Sequence, residues 1–87
     1  MNYRKQLSEA YLDKDNNKLS ELKSKILEDT TFLDQWFDTF IDKFSDKMDS
    51  ESGNRASPVW KKYYERFDEY SDLKVQLNTV EFYLKNV

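Results

Sequence analysis

Gly53 and Pro58 are the only glycine and the only proline of an 87-residue chain, and they stand five residues apart. Elsewhere the backbone lacks both the residue that turns most freely and the one that interrupts regular structure. A turn-rich β fold is thereby excluded, because its reversals draw on these residues repeatedly. What remains is a small number of long helices, and the abundance of Leu, Lys, Glu and Asp agrees with this. The length allows a single helical domain over 1–87.

Apolar side chains placed at about 100° per residue divide the chain into segments. Tyr3, Leu7, Ala10 and Tyr11 cluster near about 325°, which predicts a short amphipathic helix over residues 2–13. Asp13-Lys14-Asp15-Asn16-Asn17 supplies turn and N-cap residues. Leu19, Leu22 and Ile26 then cluster near about 75°, so no straight helix carries both stripes on one face. Leu33, Trp36, Phe37, Phe40, Ile41, Phe44 and Met48 continue in phase with that second stripe. The phase favours one helix over 18–48, with 29–31 as the place where it would bend. The alternative starts a new helix at Thr31, with Thr31 as N-cap and Asp34 at the third helical position.

The segment from Asp49 to Pro58 reads as the one clear loop. Ser57-Pro58 has the form of an N-cap followed by a first-turn proline. Trp60, Tyr63, Phe67, Tyr70, Leu73, Leu77, Val80, Leu84 and Val87 then recur every three or four residues, predicting a helix over 58–86. The expected fold is all-α: a small three-helix bundle built on a long antiparallel helical hairpin.

The residue inventory bounds the chemistry. With no cysteine and no histidine, disulfides, thiolate nucleophiles, Cys/His zinc sites and Ser-His-Asp catalysis are excluded. A lone glycine cannot form a phosphate-cradling loop, and no EF-hand loop occurs. Apolar runs reach two or three residues, against the roughly 20 that span a bilayer, so no membrane segment is expected. An intracellular, cytoplasmic, soluble protein is the default reading. No catalytic residue, cofactor or metal ligand is assigned, and the chain is not expected to be an enzyme.

The net charge of −3 conceals an asymmetry. Residues 28–51 hold eight acids and two lysines, a local charge of −6, while the flanking segments are weakly positive. Within that span Asp34, Asp38, Asp42 and Asp46 recur every four residues, forming a row roughly opposite the apolar stripe. Asp49 and Glu51 extend it. Such a row is a solvated face, a surface for a basic partner, since carboxylates about 6 Å apart approach the scale of nucleic-acid phosphate spacing, or a weak Mg²⁺ or Ca²⁺ site on paired aspartates. The second reading makes the chain a small acidic protein that occludes a larger basic one through a DNA-mimic-like face.

Fourteen aromatic residues are the other resource, and most are expected in the core. Phe32, Tyr64, Phe82 and Tyr83 point away from the main stripes. They either pack the first helix or form an interface, which makes a homodimeric structural hairpin the alternative function. Lys61, Lys62 and Arg66 lie among aromatics, a pattern suited to single-stranded nucleic acid. Glu65, Asp68 and Glu69 interrupt the patch, so direct nucleic-acid binding is disfavoured. In size, Lys/Asn/Asp-rich composition and acidic helical face, the chain resembles small phage or mobile-element proteins that bind a host enzyme. That resemblance covers no motif and transfers no residue role.

Overall fold

The structure is a computed structural model that describes residues 2–54 and 56–87; Arg55, within the predicted loop, lies outside the described residues. It contains three helices, α1 (Arg4–Leu12), α2 (Asn16–Ser50) and α3 (Pro58–Asn86), in a body of 51 × 20 × 16 Å. α2 and α3 run antiparallel. Near the loop the Trp60 indole N–H donates to the Met48 carbonyl at 3.0 Å, while at the far end Lys23 of α2 approaches Glu81 of α3 at 3.8 Å.

The α1–α2 junction is a tight reversal. Lys14 takes φ +53°, the Asp15 N–H donates to the Ala10 carbonyl (2.9 Å), and the Lys14 N–H donates to that of Tyr11 (3.1 Å). This is a Schellman ending with lysine where glycine is usual. Asp15 then caps α2, its Oδ1 accepting from the Lys18 N–H at 3.0 Å. Asn16 and Asn17, expected in the turn, already belong to α2.

α2 continues through Asp29–Thr31 without a break, so neither the expected bend there nor the alternative helix start at Thr31 is present. Thr30 is buried, and its hydroxyl donates to the Leu27 carbonyl at 2.9 Å, which satisfies its polar group inside the helix. Leu22, Ile26 and Leu33, all fully buried, hold the segment on either side. The departure from helical geometry falls instead at Phe44 (φ −119°, ψ 15°). Phe44 lies within an aromatic cluster with Trp36, Phe40, Met48, Val59, Trp60 and Tyr63.

At the loop, Gly53 adopts φ +84°, the left-handed region open to glycine. Ser57 takes the N-cap position before Pro58, and its carbonyl accepts the Lys61 N–H at 2.9 Å. Its side chain makes no cap hydrogen bond. The hydroxyl donates to the Glu51 carboxylate instead, tying the loop's two ends together.

The core has two parts. The lower part is aliphatic: Leu7 and Ala10 of α1, Leu19, Leu22, Ile26 and Leu33 of α2, and Leu73 and Val80 of α3. The upper part, near the loop, is aromatic and made by α2 and α3 alone. Nine-residue α1 is too short to reach it, because 9 residues span only about 13 Å. With only two helices there, Phe40 is buried but Trp36, Phe44, Trp60 and Tyr63 around it remain half-buried, while Phe37 and Tyr70, also half-buried, pack against the aliphatic part and join the two through the Phe37–Tyr63 contact.

The α3 seam also differs from expectation. Gln76 is fully buried, whereas Leu77 is only half-buried and Phe67 and Val87 are exposed. α1 is the cause of the Gln76 burial. The Tyr3 N–H donates to Gln76 Oε1 at 2.7 Å and Gln76 Nε2 donates to Asp72 at 3.0 Å, so the amide serves the start of α1. Asp72 also receives both guanidinium nitrogens of Arg4, which hold its carboxyl below the usual carboxylate range.

Candidate interaction surface

The outer face of α2 is set by the same periodicity that buries its inner face. With Leu33 and Phe40 buried toward α3, residues spaced by four on the opposite side point to solvent. Asp34, Asp38, Asp42, Asp46 and Asp49 are all exposed. Among the described residues none of these five carboxylates makes a hydrogen bond or an ion pair, although surface pairs form elsewhere, as at Lys25–Glu21 (3.3 Å) and Arg66–Glu69 (3.1 Å). The two lysines of this segment lie off the face. Lys43 sits 5.5 Å from the centroid of the Phe44 ring, on the flank toward the aromatic cluster.

The acids at the ends of the segment behave differently. Asp29 is half-buried and accepts a 2.6 Å hydrogen bond from the Tyr3 hydroxyl. Burial and the neighbouring carboxylate push the Tyr3 phenol up to about 12, the hydrogen bond to Asp29 contributing most. Glu51 is half-buried on Ser57. Both carboxylates join parts of the fold, so the uncommitted row is Asp34 to Asp49.

Phe32, 54 % exposed, stands beside the row. With Gln35, Trp36 and Thr39 it lines a shallow hollow of about 230 Å³. Arg66 of α3 covers another edge of Trp36, with its guanidinium carbon 5.5 Å from the ring centroid.

The four aromatics singled out in the sequence do not form one patch. Tyr83 stacks on Tyr11 of α1, with centroids 4.2 Å apart and planes within 12°, and is half-buried. Phe82 and Tyr64 lie exposed on α3, and Phe32 lies on α2. Arg66 is engaged by Glu69 and Trp36, which leaves Lys61 and Lys62 as the exposed cations of that group. Val75, exposed on α3, escaped the sequence reading. Its signal was available in the uncharged neighbours Ser71, Asn78 and Phe82 at spacings of three and four.

Among the described residues no group of three or more acidic side chains converges as a metal site would, and no helix is long and apolar enough to cross a membrane. No protein-family model matches the chain, and searches of curated proteins and of solved structures find no significant match.

Proposed function

We propose that the chain is a non-enzymatic, cytoplasmic interaction protein that docks a larger basic partner through the outer face of α2 and thereby occludes or modulates it. The observation that carries this reading is the unpaired state of Asp34, Asp38, Asp42, Asp46 and Asp49 on one exposed helical face. Like charges four apart destabilise a helix by about 0.2–0.5 kcal/mol per pair. Here that cost is left uncompensated while lysines elsewhere in the chain form ion pairs. A basic surface removes the repulsion on binding, and its long-range field speeds the encounter.

The hollow beside Phe32 adds an apolar element next to the charge. The partner surface that fits is a cationic stretch with Lys or Arg spaced along about 20 Å, bearing one apolar side chain to meet Phe32 and Trp36. Nucleic-acid-processing enzymes present cationic channels of this kind, and an inhibitor of the phage or mobile-element type would use the row as a phosphate mimic.

The test is affinity capture from the native host with the intact chain and with the Asp38→Lys/Asp42→Lys variant. Binding of the captured protein is then titrated at several salt concentrations. The reading expects a partner retained by the intact chain, at least about tenfold weaker with the variant, and sensitive to salt. Equal retention by both proteins overturns it.

A further inference from the structure

The face of α3 turned away from α2 carries an uncharged stripe along most of its length. Tyr64, Phe67, Ser71, Val75, Asn78 and Phe82 recur at spacings of three and four, and all six are exposed. The apolar members are prominent: Phe67 is 46 %, Val75 54 % and Phe82 59 % exposed. In a chain with 36 % charged residues, nineteen consecutive residues whose outward stripe is exposed and holds no charge form a neutral, solvent-facing surface.

We propose that this stripe is a homodimer interface, occupied by α3 of a second copy in antiparallel orientation. The stripe is self-complementary about a two-fold axis crossing α3 near residue 73. That axis sets Tyr64 against Phe82 of the second copy, Phe67 against Asn78, and Ser71 against Val75. Each large side chain at one end meets a large or neutral one, and the small Ser71 admits Val75 at the centre. A closed two-fold contact of this kind uses one patch on both subunits.

Charge distribution favours a second copy over the basic partner of the acidic face. α3 carries five basic and five acidic residues and is neutral overall, whereas the −6 of residues 28–51 lies on α2. The aspartate row faces away from α3, so two copies approach through neutral surfaces with their acidic faces outermost. Lys74, the cation nearest the centre, lies back over the Tyr70 ring of its own helix, 5.2 Å from the centroid. A strongly basic partner is drawn to the other side of the hairpin. The stripe is about 28 Å long and one helix diameter, about 10 Å, wide, which is the low end of interface size, below about 1,200 Å² in total. A weak, micromolar-range dimer follows.

Sedimentation equilibrium of the full chain from about 5 to about 500 µM tests this, with dissociation expected in the tens to hundreds of micromolar. Val75→Glu and Phe82→Glu each weaken association at least tenfold while helical content and melting temperature hold, because both positions are exposed. Phe32→Glu and Asp38→Lys/Asp42→Lys leave it unchanged, so the dimer stands or falls separately from the acidic-face reading. The chain has no cysteine, so introduced thiols are unique. Ser71→Cys mixed with Val75→Cys cross-links into a heterodimer on mild oxidation. A monomeric mass throughout the range overturns the proposal, as does a dimer that survives both charged α3 substitutions.

Discussion

The Tyr3 hydroxyl donates a 2.6 Å hydrogen bond to Asp29, fastening the start of α1 to the middle of α2 at the point where the sequence suggested a bend. The bond takes one carboxylate out of the acidic segment and uses it to hold the bundle. Removing the hydroxyl with Tyr3→Phe should cost about 1 kcal/mol. The pH dependence has a defined sign. The folded-state pKa of Tyr3 is raised to about 12 from 10.0, so its contribution is complete below pH 10 and is lost as pH rises from there through about 12. Melting curves of the two proteins should therefore differ at neutral pH and converge above that window. A gap that persists unchanged through it contradicts the assignment.

Lys14 occupies the left-handed position of the α1 ending, where a Cβ is unfavourable. Lys14→Gly should raise stability by about 0.5–1 kcal/mol, read by urea denaturation. A destabilised variant means that the Lys14 side chain contributes more than its backbone strain costs.

Leu33 and Phe32 are sequence neighbours about 100° apart around α2. Leu33 is fully buried and Phe32 largely exposed. Leu33→Ala should cost about 2–5 kcal/mol, while Phe32→Ala should stay within about 0.5 kcal/mol. Chemical denaturation distinguishes them. Similar losses at both positions show that α2 is rotated from the orientation described.

Repulsion along Asp34, Asp38, Asp42 and Asp46 should be measurable without any partner. Asp38→Asn/Asp42→Asn removes three adjacent like-charge pairs, so the melting temperature should rise at low salt, by about 1 kcal/mol in stability. Asn and Asp have similar helix propensity, which isolates the charge. The gain should fade near 1 M salt, where the screening length is about 3 Å. No gain at low salt means that the row is already compensated.

Much of the fold was legible because local chemistry and tertiary packing agree in most places. Gly53 and Ser57-Pro58 mark the hairpin loop, and the in-phase stripe from Leu19 to Met48 carries α2 past Thr30. Helix propensity alone pointed to a break at Thr30-Thr31, but burial between Ile26 and Leu33 outweighs tenths of a kcal/mol. What could not be read was the placement of α1. Its position over α3 buries Gln76 and half-buries Tyr83 against Tyr11. These outcomes depend on where a third helix lies, and no periodicity within α3 encodes that. The aspartate row was legible because it is local, one helix turn per step. That Asp29 and Glu51 leave it for Tyr3 and Ser57 depends on residues far away in sequence or across a loop.

The central claim is that the outer face of α2, and not the lysines of α3, is the binding surface for a basic partner. Its most direct test is the dissociation constant of the captured partner at several salt concentrations, measured for three proteins. These are the intact chain, Asp38→Lys/Asp42→Lys, and Lys61→Glu/Lys62→Glu. The account predicts at least about tenfold weaker binding and a shallower salt dependence for the aspartate variant, with the lysine variant as tight as the intact chain or tighter. An aspartate variant with unchanged affinity and salt dependence, or a lysine variant that alone loses binding, contradicts it.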